Sequence, residues 1–494
     1  MLYMNSFTLL DWTVMLIYFI SITFFGLFKS GRQTSTRDYF LSDKKISWWV
    51  ISMSVVATET SALTFISLPG LAYVSNFNFL QLAIGYIIGR IIVALIFLPK
   101  YFDGELTTAY ALIERKLGLS SRKILSVIFI ITRLLADGVR LYATAIPIGL
   151  ILHGYKEFEQ VPDLYIYISS ISLISVITIF YVRFGGVRAV IWTDLIQLII
   201  YIFGGLFSLY YLFHQNVNIL ETFHHLNKIH KTEIFNFDFS HFFSTPYNFL
   251  SAIIGGIFLS MASHGTDYII VQRLFATNNL RNSQKALIFS GFTIFFQFLI
   301  FLLIGSLLFT YYNDPALSGD KVFSKFIIET LPPGISGLII SGLLAAAMST
   351  LSSSINAISS STVYDILAHL KPFNSYTDEK KLNLSKLISL FWGVLLTATA
   401  LSFIGNNQAV IELALSIASL TYGGLLGTFF ICFTQQNYAP ASVFIGITIC
   451  ISIMSYVVFF TTLPWTFYVT LGTCINFSAI YLTNFLFRKT IINI

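Results

Sequence analysis

The sequence predicts an all-α integral membrane protein, and three observations carry that prediction. The chain is 56% hydrophobic and only 11% charged, where soluble domains carry about 25% charged residues. Apolar runs of about 20 residues or more, each long enough to cross a bilayer as a helix, recur from end to end. Two of those runs are interrupted by small and polar residues in a related way, a pattern that points to a transporter site at the membrane midplane.

The apolar runs place about thirteen spans near residues 11–29, 46–73, 79–99, 122–152, 163–183, 189–213, 248–275, 284–311, 332–366, 384–404, 409–433, 438–459 and 464–487. They form a single polytopic domain, 1–494, and the few residues after Asn484 are expected to hold no soluble module. No Lys or Arg precedes the first span, which excludes a signal peptide and an N-terminus held inside by charge. The next loop holds Lys29, Arg32, Arg37, Lys44 and Lys45. Alternate loops repeat the bias: Lys100, Arg115, Lys116, Arg122 and Lys123; Arg183 and Arg188; Arg273 and Arg281; Lys371, Lys380, Lys381 and Lys386; then Arg488 and Lys489. The intervening loops hold only Lys156, Lys228, Lys231, Lys321 and Lys325. This predicts a multi-pass protein of the cell membrane with its N-terminus outside and its C-terminus cytoplasmic. The net charge of +6 is then a topology signal, and no nucleic-acid partner is implied.

Cys432, Cys450 and Cys474 lie in apolar spans without metal-ligand spacing and read as small core residues. His224, His225 and His230 fall in the longest outer loop, about 214–247, which reads as solvated and amphipathic rather than as a metal site.

The sharpest feature is Ala345-Ala346-Ala347-Met348-Ser349-Thr350-Leu351-Ser352-Ser353-Ser354. At helical periodicity Ala346, Ser349, Thr350, Ser352 and Ser353 share one broad face. A hydroxyl within a bilayer needs a partner, because an unsatisfied polar group there costs several kcal/mol. Such a face is either glued to another helix or holds a hard cation such as sodium, which neutral and anionic oxygens suit.

The interrupted runs supply the second half of that site. One carries Ala57-Thr58-Glu59-Thr60-Ser61 followed by Pro69-Gly70; the other carries Gly255-Gly256 and then Ser263-His264-Gly265-Thr266-Asp267. With the first span taken as extra, five spans from 46 to 213 set against five from 248 to 433, and 438–487 supplies two C-terminal helices. Unwound backbone at such breaks exposes carbonyls for a cation and N–H groups for a solute.

Four segments in this order resemble the sodium:solute symporter family: Asp38-Tyr39-Phe40-Leu41 with Trp48-Trp49; Phe184-Gly185-Gly186-Val187-Arg188-Ala189-Val190-Ile191-Trp192-Thr193-Asp194; Gly265-Thr266-Asp267 with Val271-Gln272-Arg273; and the Ala/Ser segment. The resemblance spans essentially the whole chain. It implies a leucine-transporter-type fold of inverted five-helix repeats, alternating access, and a sodium site between the first and eighth core helices. On this chain that site is Ala57 and Thr60 through backbone carbonyls, the Ala346 carbonyl, and the hydroxyls of Ser349 and Thr350.

Asp194 is the second sharp residue, since a carboxylate within a span marks a functional partner. The bacterial sodium/sialic acid symporters, which the chain is most similar to, use the aspartate of this motif with nearby serines for a second sodium. The matching residues are Asp194, Ser349, Ser352 and Ser353. The plain alternative is a helix cap beside Arg188.

Substrate residues are less sharply marked. Ser61, Thr64 and Phe79 match positions that contact substrate in the sialic acid members, while Gln81 lies about two residues out of register with their glutamine. Sugar-transporting members carry a glutamine at the position of Thr64 and a glutamate in the second core helix, which this chain lacks; a neutral hexose is therefore disfavoured. Arg133, Asp137 and Arg140 share one face of the third core helix by their spacing. This leaves one positive charge unmatched unless Glu59 or Glu412 balances it, and an unmatched guanidinium suits a carboxylate. Arg140 is preferred to Arg133. Glu59 is either a pH-sensitive modulator or a salt-bridge partner of a neighbouring arginine; Arg90 and Glu412 read as structural pairs.

These readings converge on a sodium-coupled symporter, Na⁺ being its coupling ion and the bilayer and a small organic solute its partners. The preferred solute is a carboxylate such as a sialic acid. The alternatives are a sugar, polyol or vitamin symporter, or a proton-coupled carrier using Asp194 or Glu59. No nucleophile–base or metal constellation marks an enzyme; His264 with Asp267 is too little.

Overall fold

The computed structural model describes residues 7–492, apart from 31–32, 42–45, 104–105, 156–157, 216–217, 241, 315–316, 318, 406–409 and 435. The side chains of 62–63, 150, 320, 410–416, 419–420 and 488–492 are likewise left out. Arg32, Lys44, Lys45 and Lys156 of the charge tally, and the side chains of Glu412, Arg488 and Lys489, therefore lie outside the described residues.

A capping box at Thr8 opens α1 (Leu9–Lys29). Two short helices, α2 (Trp48–Glu59) and α3 (Ala62–Val74), form the first interrupted run. They are followed by α4 (Leu80–Ile92, prolonged to Phe102), α5 (Tyr110–Ala143) and α6 (Asp163–Gln215). The outer segment carries α7 (Ile219–Lys228). The second interrupted run is α8 (Phe249–Gly265) and α9 (Tyr268–Phe275), then α10 (Leu280–Tyr312), the short α11 (Gly319–Glu329) and α12 (Ile335–Ser361). Four helices complete the chain: α13 (Asp378–Ser402), α14 (Val410–Phe433), α15 (Pro440–Phe460) and α16 (Tyr468–Ile492). Among the described residues there is no strand.

Among the described residues eight helices are long and apolar enough to cross a bilayer, and ten spans result if each bent pair counts as one. At 53 residues α6 is about 80 Å long, far more than the roughly 30 Å hydrocarbon core. Gly186 divides it with φ 58°, ψ −164°. A Cβ there would sit 2.5 Å from the Tyr39 carbonyl oxygen, so only glycine turns the chain between the spans expected at 163–183 and 189–213. Arg133, Asp137 and Arg140 keep α5 from passing as a plain apolar span.

Both interrupted runs are broken, with bends of 62° and 58°. The first break falls at Thr60–Ser61, and Pro69 lies within α3 rather than at the bend. The second falls at Thr266–Asp267, where Asp267 caps α9 through Ile269 N at 3.0 Å. Gly255 and Gly256 stay helical and serve packing instead. A Cβ on Gly256 would lie 2.5 Å from Leu82 O, and one on Gly85 2.5 Å from Ile253 O. Small residues thus bring α4 and α8 to backbone contact, as helix pairs in lipid require.

Burial corrects several readings of single residues. Arg273 is not a loop residue: it lies on α9 and is 1% exposed. Arg122 is also buried, paired with Asp365 and Glu114. Cys432 and Cys450 are core residues, whereas Cys474 faces outward. The outer segment is anchored, not merely solvated, at one point. The buried Lys231 donates to Tyr73 O at 2.5 Å, capping α3.

The first helix is tied to the helix that carries the hydroxyl face. Asp11 is 2% exposed, and its carboxylate accepts from Gly334 N and Gly337 N, each at 2.7 Å. An anion at a helix N-terminus satisfies donors that have no intrahelical partner. Asp11→Ala strands two amides and should cost about 2 kcal/mol. The melting temperature of the purified protein in detergent should fall by several degrees, with Asp11→Asn intermediate; an unchanged melting curve contradicts this docking.

Candidate functional site

The break at Thr60 ends α2, and the carbonyls of a last helical turn lack the amides that would continue the ladder. Thr60 N still closes that turn onto Val56 O at 2.9 Å, while its own ψ of 105° turns the chain out of the helix. Facing the break are α6 and α12. A small cavity lies between them, lined by Ala57, Thr60, Gln197, Leu198, Tyr201, Ala346 and Ser349. Four of the five residues expected to hold the first sodium are therefore together. The fifth, Thr350, is next along α12, and its hydroxyl donates to Ala346 O at 3.1 Å.

Gln197 and Tyr201 were missed by the sequence reading, although the signal was there: they follow Asp194 by three and seven positions and share its helical face. Gln197 is 1% exposed and forms part of the cavity wall.

Asp194 is completely buried. Ser349 donates to its Oδ1 at 2.7 Å, Ser54 to its Oδ2 at 2.7 Å, and Arg273 Nη2 meets Oδ2 at 3.0 Å. Arg273 also donates through Nε to Ser54 at 2.9 Å and through Nη1 to Ile269 O at 2.8 Å, and it bonds Ser353. The hydroxyls of Ser352 and Ser353 both return to Ser349 O, at 3.0 and 2.5 Å. Asp194, Ser349, Ser352 and Ser353 thus cluster as expected, but the aspartate's charge partner is Arg273 and not Arg188. In the sequence Arg273 stands only within a motif and a charge tally, and Ser54 carries the weak signal of standing one turn before Ala57.

The charges of the Arg133, Asp137 and Arg140 face of α5 are matched, contrary to the sequence count. Asp267 supplies the balance, so the positive charge expected to stay unmatched on this face is paired. Arg133 pairs with Asp267, with Asp137 at 3.4 Å and with the Tyr422 hydroxyl at 2.5 Å. Tyr422 in turn donates to Asp267 at 2.8 Å, and Ser354 donates to Asp137. Arg140 differs: among the described residues it bonds Asp137 alone, at 3.2 Å, and its side chain is 26% exposed. Of the five donors of a guanidinium, most have no partner among the described residues. Glu59 pairs with Arg90, which also donates to Ser290 at 2.8 Å, so the salt-bridge reading of Glu59 is the one observed.

The remaining substrate candidates separate. Ser61 and Thr64 form the capping box of α3, their hydroxyls 3.2 Å apart beside the break. Phe79 is partly buried, its ring 5.5 Å from those of both Tyr247 and Phe298. Gln81 is withdrawn as a substrate contact. It is wholly buried, donates to Asn78 O and Tyr247 O at 3.0 Å each, and accepts from Asn236 N at 3.2 Å. Its amide is consumed in pinning the outer segment.

One broken helix meets the hydroxyl-bearing helices α6 and α12 around a small cavity, and a second break lies on α8–α9, a pattern that points to a secondary transporter. A profile of the sodium:solute symporter family matches residues 39–433. The chain belongs to that family and is a multi-pass, sodium-coupled transporter of a small solute with a leucine-transporter-type fold. It is 28% identical to the sodium/sialic acid symporter of Aliivibrio fischeri over 99% of this chain and 95% of that one. With the sodium/sialic acid symporter of Proteus mirabilis the identity is 27%, over 95% and 94%. A solved outward-open, substrate-bound Na⁺-coupled sialic acid symporter superposes with a TM-score of 0.85 at 25% identity, covering 97% of this chain and 98% of its own. A nucleobase-cation symporter shares the fold alone, at a TM-score of 0.54 and 12% identity.

Burial of Asp194 depends on its cationic partner, because an uncompensated buried charge costs about 3–5 kcal/mol. Arg273→Met should therefore destabilise the protein more than the double variant Arg273→Met with Asp194→Asn. Melting temperatures of the three proteins check this, and a double variant no more stable than the single contradicts mutual neutralisation.

Proposed function

We propose that the chain is a sodium-coupled symporter importing a small organic anion, a sialic acid or a related carboxylate, by alternating access with two sodium sites. The observation that carries it is the cavity where Ala57, Thr60, Ala346 and Ser349 converge beside a helix break. Carbonyls of Ala57, Thr60 and Ala346 with the hydroxyls of Ser349 and Thr350 give the first ion an all-oxygen, uncharged shell, which suits sodium. The second ion takes Asp194 Oδ1 with Ser349, Ser352 and Ser353, of which Ser353 is shared with Arg273. Sharing Asp194 with a guanidinium makes this the weaker of the two sites. Arg140, the less enclosed arginine of α5, receives the substrate carboxylate, and Ser61, Thr64 and Phe79 line its approach; Arg133, held from three sides, orients the network.

The topology belongs to the same proposal: N-terminus outside, C-terminus cytoplasmic, repeats of 46–213 and 248–433, a preceding helix at 11–29 and two following within 438–487. Burial of Arg122 and Arg273 removes two charges from the tally and leaves its bias in place.

Uptake of labelled sialic acid into proteoliposomes tests the reading. Transport should require an inward sodium gradient, fail with potassium, and persist without a pH gradient; uptake driven by protons alone points to the proton-coupled carrier instead. Thr350→Val with Ser349→Ala should raise the sodium concentration for half-maximal uptake without loss of membrane insertion, and unchanged sodium dependence removes the first site.

Two ions per monoanion make the cycle electrogenic, worth about 2.3 kcal/mol per net charge per 100 mV. A Hill coefficient above one for sodium is expected, and Asp194→Asn should lower the measured coupling ratio. A wild-type ratio of one sodium per solute removes the second site. Arg140→Lys keeps the charge and loses the fork, and should raise the apparent KM for the anion about tenfold. An equal KM in that variant, or transport of uncharged solutes only, excludes the carboxylate role.

A further inference from the structure

Behind the cavity, on a helix that supplies none of the proposed ion ligands, stands a buried glutamine with no role in the reading above. Gln297 lies on α10 and is 2% exposed. Its amide meets the hydroxyl of Thr60, Nε2 at 2.9 Å and Oε1 at 3.2 Å, and it stands beside the Tyr201 phenol. Thr60 and Tyr201 are both walls of the cavity. One amide therefore backs two of its walls from a third helix.

Thr60 needs such a hold. It is the last residue before the break, its φ of −71° and ψ of 105° are not helical, and no continuing ladder fixes the orientation of its peptide. The Thr60 side chain is the nearest handle by which a neighbouring helix sets those dihedrals. We propose that Gln297 is a positioning residue of the first sodium site: through the Thr60 hydroxyl it fixes the direction in which the Thr60 carbonyl faces the ion, and so the site's affinity for sodium and its discrimination against lithium. This rests on the first sodium site proposed above.

A hydrogen bond of this kind is worth a three- to tenfold change in an equilibrium constant. Gln297→Leu and Thr60→Val, which keeps the carbonyl and removes the hydroxyl, should each raise the sodium concentration for half-maximal uptake about three- to tenfold at saturating solute, and each should change the ratio of lithium- to sodium-driven uptake. The double variant should shift no further than either single one, because both remove the same contact. Gln297→Glu retains an acceptor for the Thr60 hydroxyl and should recover most of the affinity that Gln297→Leu loses. A merely structural role would lower the amount of folded transporter and the maximal rate, and would leave the sodium dependence and the lithium ratio unmoved.

Additive shifts in the double variant, or no shift in Thr60→Val, overturn the proposal. The Ser349→Ala, Thr350→Val protein separates the two levels. If it alters sodium dependence while the Thr60 and Gln297 variants do not, the positioning role fails and the site stands. If it too leaves sodium dependence unchanged, the site itself is wrong and the proposal falls with it.

Discussion

A helix broken inside a bilayer leaves backbone groups that water cannot reach, and each costs several kcal/mol unless the protein or a bound ligand satisfies it. The arrangement follows from that constraint. Ser61 and Thr64 cap α3 from the break, and Asp267 caps α9. Gln297 takes the Thr60 hydroxyl. The last turn of α2 borders a cavity also walled by Ala346 and Ser349, which is where the proposed first sodium site lies.

Charge obeys the same rule. Arg90 is paired with Glu59, Arg273 with Asp194, Arg122 with Asp365, and Arg133 and Arg140 are set against Asp137 and Asp267. An isolated charge in this interior would be prohibitive, and pairing makes each tolerable. Pairing also grades them. Arg133 is enclosed by Asp267, Asp137 and Tyr422, whereas among the described residues Arg140 bonds Asp137 alone. Asp194 has one oxygen against Arg273 and Ser54 and the other against Ser349 alone, an asymmetry on which the proposed second ion position rests.

The inner faces of the helices show how little distance separates structural from functional polarity. Ser349 donates to Asp194 and lines the cavity at once, which couples the two proposed ion positions through one side chain. Gln81 looks like a ligand by composition and serves as a clamp on the outer segment. The difference lies in whether the amide's partners are backbone groups of the same chain or empty space.

Much of this was legible in the amino-acid order. Span-length apolar runs, the breaks at Ala57–Ser61 and Ser263–Asp267, and the hydroxyl face from Ala346 to Ser353 are local patterns, because helical periodicity maps sequence spacing onto one face. The grouping of serines with Asp194 came from the family resemblance and not from spacing. Pairing across helices was not legible: Arg273 for Asp194, Asp267 for Arg133, Asp11 for the start of α12 and Gln297 for Thr60 join residues that no periodicity connects. Nor was the place of Arg273, which a count of basic residues put in a loop and burial put in the core. Sequence alone determined which faces are polar and where helices break, since those depend on spacing within one helix; only the tertiary structure decided which polar groups neutralise one another and which remain for a ligand, since that depends on distances between helices far apart in the chain.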